Sequence, residues 1–162
     1  MKIDLNKTQR YLEWMNQKLY LDAIADKAAC RKVRRGEVYW CHFGLNIGSE
    51  ISKNVPRTAV IVQKDGYNIS SPNTIVVPIT HSQSNMSCLI PFDSKKDSEG
   101  KIILDGRVNV SGMTCVSKSR LGDMIRDRNE LQDILNNITL AAQTENIDDI
   151  ICTLKTNLYK FP

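Results

Sequence analysis

Arg35-Gly36-Glu37-Val38-Tyr39-Trp40-Cys41-His42-Phe43, residues 35–43, decides the fold class. A basic run ends at Gly36, and a short aromatic, β-prone segment begins there, with Gly44 and Gly48 bracketing the loop that follows. Working outward, Thr58-Ala59-Val60-Ile61-Val62-Gln63 reads as a second strand, apolar enough without a break to be buried on both faces. Thr74-Ile75-Val76-Val77-Pro78-Ile79-Thr80 reads as a third, where Pro78 predicts a bulge or an edge near the end. Asp65-Gly66 and residues 68–73 carry turn chemistry. Cys88 to Phe92, Lys101 to Leu104 and Met113 to Ser117 supply further short strands, and residues 81–87 read as a polar loop.

Both flanks are helical in pattern. Residues 4–29 hold neither Gly nor Pro, with Leu5, Leu12, Met15 and Leu19 near one stripe that Trp14, Leu21 and Ala25 widen. Such a helix must pack against something. At the other end Ile147, Ile150, Ile151, Leu154 and Leu158 recur at helical spacing behind Thr144 and Glu145, and residues 129–136 predict another helical piece. Short strands with terminal helices imply a mainly β domain, a small β-barrel, at 34–162, preceded by a helical extension at 1–33.

Composition narrows the classes. The chain has 162 residues, 41% hydrophobic and 25% charged, enough for a core without cross-links. The five cysteines (Cys30, Cys41, Cys88, Cys115, Cys152) form no Cys-x-x-Cys pair, and His42 and His81 are the two histidines. Zinc and a disulfide framework are poorly supported, and small buried hydrophobes in a reducing compartment are the expectation. No apolar stretch near the N-terminus fits a signal peptide and none reaches membrane-spanning length, so a cytoplasmic protein is expected. Net charge is +4. Two basic clusters stand out, Lys27, Arg31, Lys32, Arg34 and Arg35, then Lys118, Arg120, Arg126 and Arg128. They suit a polyanion partner, and serve equally well as solvated faces.

From Arg35-Gly36-Glu37-Val38-Tyr39 onward the chain resembles the MazF/PemK family. The resemblance continues through Gly48-Ser49-Glu50, Arg57 heading Val60-Ile61-Val62, Asn68, Ser71 to Thr74, Pro78-Ile79-Thr80 and Val116-Ser117-Lys118-Ser119-Arg120-Leu121. Each piece is weak, but their order and spacing are specific. The resemblance implies an SH3-like β-barrel with a C-terminal helix, a homodimer, and metal-independent, sequence-selective cleavage of single-stranded RNA needing no cofactor. It implies a cognate antitoxin as partner, DNA binding together with that antitoxin, and no membrane. By the same resemblance Arg57 and Thr80 are catalytic, Glu50 is the favoured base, and Ser49, Asn68, His81 and Ser82 contact RNA. Three departures stand: Thr58 follows Arg57 where relatives have proline, Ser111 and Gly112 replace an acid and a glutamine, and the N-terminal helix lies outside the shared core.

The chemistry suits the residue types. When a ribose 2′-oxygen attacks the neighbouring phosphorus, charge gathers on the non-bridging oxygens, and fixed cations stabilise it. A guanidinium forks onto phosphate oxygens and is a poor base; a threonine hydroxyl can donate a hydrogen bond. Glu50 could accept the 2′-proton, and His81, next to Thr80, could act as acid or base. Each residue also has a plainer role open to it: Arg57 or Glu50 in an ion pair, Thr80 as a β-former, His81 solvated, His42 structural, and Tyr39, Trp40 and Tyr67 as core rather than base-stacking. A catalytically silent RNA-binding module and a protein-directed, gyrase-poison-like inhibitor are the competing functions.

Overall fold

A computed structural model describes residues 4–48, 51, 55–126, 134–136 and 138. Two helices, α1 (Leu5–Ala23) and α2 (Ala25–Ala29), precede a mainly antiparallel β domain. Its elements are β1 (Val38–Cys41), β2 (Arg57–Ile61), a short helix α3 (Asp65–Ser70), β3 (Asn73–Thr80), β4 (Leu89–Pro91), β5 (Lys95–Lys96), β6 (Ile102–Leu104), β7 (Arg107–Asn109), β8 (Thr114–Ser117) and β9 (Leu121–Arg126). The main sheet runs β4-β7-β3-β2-β1-β9, with β8 also on β3, and β5 pairs β6 as a separate hairpin. The mainly β class expected from sequence is what the chain adopts. The expected C-terminal helix at 144–158 lies outside the described residues; residues 134–136 are helical.

The central strands have a core on each face. Val38, Val60, Val77, Ile79, Leu104 and Val108 meet Ile134, Leu135 and Ile138 on one side. Tyr39, Cys41, Phe43, Ala59, Ile61, Val76, Val116 and Leu121 close the other. This is why β2 lacks polar alternation: Ala59, Val60 and Ile61 are all fully buried, on alternating faces.

Three sequence expectations are corrected. Pro78 is neither at a bulge nor on an edge; it sits inside β3, opposite Ala59. On its other side β3 leaves β8 after Val76 and meets β7 at Ile79, so the missing N–H falls where the ladder changes partner. The turn-like stretch after Asp65 forms α3, because the chain from Lys64 winds one helical segment before β3. The α1 stripe does not face the barrel: Leu5, Leu12, Met15 and Leu19 are more than half exposed. The inner side of α1 is instead Trp14 and Leu21, on roughly the opposite face at 3.6 residues per turn.

Trp14 shows how the helix docks. Gly44 has φ +84°, and a Cβ there would stand 2.0 Å from the indole, so only glycine lets the ring lie on this backbone. The Arg120 guanidinium covers the same indole, 5.5 Å from the ring centroid.

Candidate active site

Arg57 opens β2, half-buried, with Cys41 of β1 as its Cα partner. The β2–β3 register pairs Ala59 with Pro78, Val60 with Val77 and Ile61 with Val76. That pairing ends at Ala59 and Pro78, two residues short of Arg57 on one strand and of Thr80 on the other. On its other side Thr80 pairs with Arg107 of β7, and Arg107 with Pro91 of β4. Directly opposed residues of an antiparallel pair share a face. Alternation along the paired strands puts the series Cys41, Arg57, Thr80, Arg107 and Pro91 on the face that carries Ala59, Ile61 and Val76. Burial falls along it, from Cys41 inside, through the half-buried Arg57, Thr80 and Arg107, to the exposed Pro91.

Around Thr80 the contacts are polar and local. Its Oγ1 accepts from the Ser82 N–H at 3.3 Å, which leaves its own hydrogen to donate. The Ser82 hydroxyl oxygen accepts from the Ser84 N–H at 3.3 Å, and Arg107 Nη1 donates to the Ser84 carbonyl at 2.8 Å. His81 Nε2 stands 2.7 Å from Asp105 Oδ1, both side chains exposed. The turn that carries Asp105 can come so close because Gly106, at φ +116°, needs no Cβ; one would meet the Thr80 carbonyl oxygen at 2.6 Å. The His81–Asp105 contact is the ion pair found among the described residues, so neither Arg57 nor Arg107 is neutralised by a described carboxylate.

Beyond Pro78 the same face opens into a hollow of about 720 Å³, lined by Phe43, Asn46, Ile51, Asn109, Ser111 and neighbours along β8. Gly112 backs onto both Pro78 and Ile51, which ties the hollow to the strand that carries Thr80. The Ser111 hydroxyl donates to Asn109 Oδ1 at 2.7 Å. Neither Arg57 nor Thr80 lines this hollow.

The remaining residues singled out in the sequence divide. Ser49 and Glu50 lie outside the described residues. His81 and Ser82 are exposed beside Thr80. Asn68 is a correction: its side chain is fully buried, accepting at Oδ1 from Thr74 Oγ1 at 2.8 Å and Gln63 Nε2 at 3.0 Å, and donating to the Gln63 carbonyl at 3.0 Å. It holds α3 against β3 and presents nothing to a ligand. Tyr39 is core as expected, whereas Trp40 in β1 and Tyr67 in α3 are exposed. Of the described cysteines Cys41 alone is fully buried; Cys30 and Cys115 are exposed. Burial pushes the Cys41 thiol up to about 12, against a smaller opposing pull from Arg120, so it stays protonated.

The basic clusters are partly spent on the fold itself. Lys118, 1% exposed, donates to the carbonyls of Asn68 at 2.6 Å and Ala29 at 3.2 Å, and burial holds its pKa below the usual lysine value. Arg31 donates to the carbonyls of Leu121 and Gly122 and lies over the Tyr39 ring, 4.9 Å from its centroid. Arg120 donates to the His42 and Phe43 carbonyls at 2.9 and 3.0 Å. Arg107 is the residue that sequence reasoning missed: nothing in a three-residue strand signals which neighbour it will face. Among the described residues no cluster of His, Cys, Asp or Glu could hold a metal ion, and no helix is long and apolar enough to cross a membrane.

Comparison with known proteins agrees on one family. A family model described as the PemK-like, MazF-like toxin of type II toxin-antitoxin systems matches residues 34–141. No curated protein matches the chain. Among solved structures, an endoribonuclease from a mycobacterial species in complex with its cognate antitoxin is 20% identical, with TM-score 0.51 over 70% of this chain and 92% of that one. MazF from Deinococcus radiodurans is 15% identical, with TM-score 0.56 over 68% and 93%. At such identity these two structures establish the likeness of fold alone.

Proposed function

The chain belongs to the MazF/PemK family of type II toxin-antitoxin endoribonucleases, and from that premise we propose that it cuts single-stranded RNA sequence-selectively and without metal, as an mRNA-interferase toxin. What supports this reading is the β2–β3 pairing, which ends two residues short of Arg57 and Thr80 and leaves both half-buried on the same face. In the proposed reaction the 2′-oxygen attacks the adjacent phosphorus and the bond to the 5′-oxygen breaks. The products are a 2′,3′-cyclic phosphate and a 5′-hydroxyl. Arg57 donates to the non-bridging oxygens as their charge grows, and Thr80 donates its free hydroxyl hydrogen to the same phosphate. Glu50 takes the 2′-proton, and the departing 5′-oxygen takes a proton from solvent water. Ser49, His81 and Ser82 contact the flanking RNA. Asn68, being enclosed, has no part in it.

The protein is proposed to act in the cytoplasm as a homodimer held in check by a cognate antitoxin, the kind of partner the mycobacterial relative carries. The test is incubation of a mixed single-stranded RNA pool with the purified protein in EDTA, with the ends sequenced. Cleavage leaving cyclic phosphate and 5′-hydroxyl ends is expected. Arg57→Ala and Thr80→Ala are expected to lose about 10²–10³ in rate while keeping the wild-type melting temperature, in line with loss of one donor to a developing anion. Intact RNA with the wild-type protein, or undiminished cleavage by both variants, would overturn the reading.

A further inference from the structure

We propose that Arg107 is a second phosphate-binding residue of this site, gripping the RNA backbone on the far side of Thr80 from Arg57. The inference rests on the nuclease reading above and deepens it. Three observations carry it. Thr80 and Arg107 are paired Cα partners, so their side chains rise from the same face of the sheet. Arg57 heads β2 on the other side of β3, on the same face and two residues beyond the last β2–β3 pair; an unbroken register would set the two arginine Cα atoms roughly 10 Å apart, two strand spacings, with the threonine between them. Both side chains reach a phosphate held over Thr80, or successive phosphates of a strand that crosses it.

The charge argument points the same way. Two half-buried guanidiniums on one face repel each other, and among the described residues no carboxylate pairs with either. A bound anion supplies the missing counter-charge. The hydrogen bond from Arg107 Nη1 to the Ser84 carbonyl uses one of five N–H donors and aims the rest. It also ties the 81–87 loop, with His81 and Ser82, to the strand beside Thr80. A guanidinium held in this way is ready to fork onto phosphate with less ordering left to do.

The competing explanation is that Arg107 only tethers the loop, and two variants separate the two. Arg107→Gln keeps a neutral N–H donor for the Ser84 carbonyl and removes the charge. Arg107→Lys keeps the charge and removes the fork. Binding is measured across a salt series with a mixed-sequence pool of 2′-fluoro RNA oligonucleotides, which cannot undergo 2′-attack, and kinetics are measured on the unmodified pool. Arg107→Gln is expected to bind roughly tenfold more weakly, to raise KM more than it lowers kcat, and to shrink the slope of log affinity against log salt by about 0.7, one phosphate contact of a single strand. Arg107→Lys is expected to keep the wild-type slope. A wild-type slope and KM in Arg107→Gln, at wild-type melting temperature, would sink the inference while leaving the nuclease reading intact. Uncut RNA with the wild-type protein would sink the nuclease reading, and the binding series would still decide whether Arg107 holds phosphate.

Discussion

Asn68 and His42 each have a role fixed by surroundings that the sequence does not display. Asn68 falls within the ordered family pieces and reads as a ligand contact, yet its amide is closed in by Gln63 and Thr74. Asn68→Ala strands those partners in a dry interior, so a loss of about 2–3 kcal/mol is expected in denaturant unfolding. The rate of RNA cleavage per folded molecule should stay unchanged; a selective loss of RNA binding at unaltered stability would contradict the structural role. His42, one residue beyond β1, has its pKa held below 6.5, first by burial and then by the Arg120 guanidinium, and Nδ1 is enclosed with no hydrogen-bond partner among the described residues. The unfolded chain, at about 6.5, then binds a proton more readily than the native one. Stability from this residue is complete above that value and is lost as pH falls below it toward the lower folded pKa. An NMR titration of the imidazole should show a midpoint under 6.5, and His42→Gln should flatten the wild-type fall in stability over that window. A midpoint at or above 6.5 would refute the assignment.

At the level of elements, the long patterns were legible and the short ones were not. The strands at 57–61 and 73–80 announce themselves because each is apolar over several residues, as buried central strands must be. β7 is three residues long and β9 buries little beyond Leu121 and carries Asp123 and Arg126, so neither offers a period to read. The helix period of α1 was visible, but period alone cannot say which of two apolar stripes meets the barrel. Trp14 and Gly44 settle that, and the choice has consequences for stability. Gly44→Ala would drive a methyl into the indole and force a positive φ on an alanine, costing about 2 kcal/mol in unfolding experiments. Leu12→Lys, on the outward stripe, is expected to change stability by no more than about 0.5 kcal/mol. If Leu12→Lys proves as damaging as Gly44→Ala, the outer stripe is covered in solution and the docking face described here is incomplete.

Across the whole molecule, the positive charge is divided between holding the chain together and meeting a ligand. The sequence shows 22 basic residues against 18 acidic ones and no way of sorting them. Arg57 and Thr80 were singled out only because the family pieces recur in order; what brings the ends of their strands to one face is the pairing of β2 with β3, which no local pattern encodes. Arg107 carried no signal because its neighbour is likewise set by the sheet. Within the basic clusters, Arg31, Lys118 and Arg120 spend their donors on backbone carbonyls and so pin the N-terminal helices to the barrel. Counterion release depends on the cations that replace ions at phosphates, so internally bonded cations do not add to the salt dependence of RNA binding. Arg31→Gln should therefore lower the melting temperature, because two carbonyls of β9 lose a charged donor and the Tyr39 ring loses its cover, at a cost of about 1–3 kcal/mol. Its salt slope for the 2′-fluoro RNA pool should equal that of the wild type. A reduced slope at unchanged melting temperature would move Arg31 out of the scaffold and onto the RNA-binding surface, and with it the boundary drawn here between the two uses of charge.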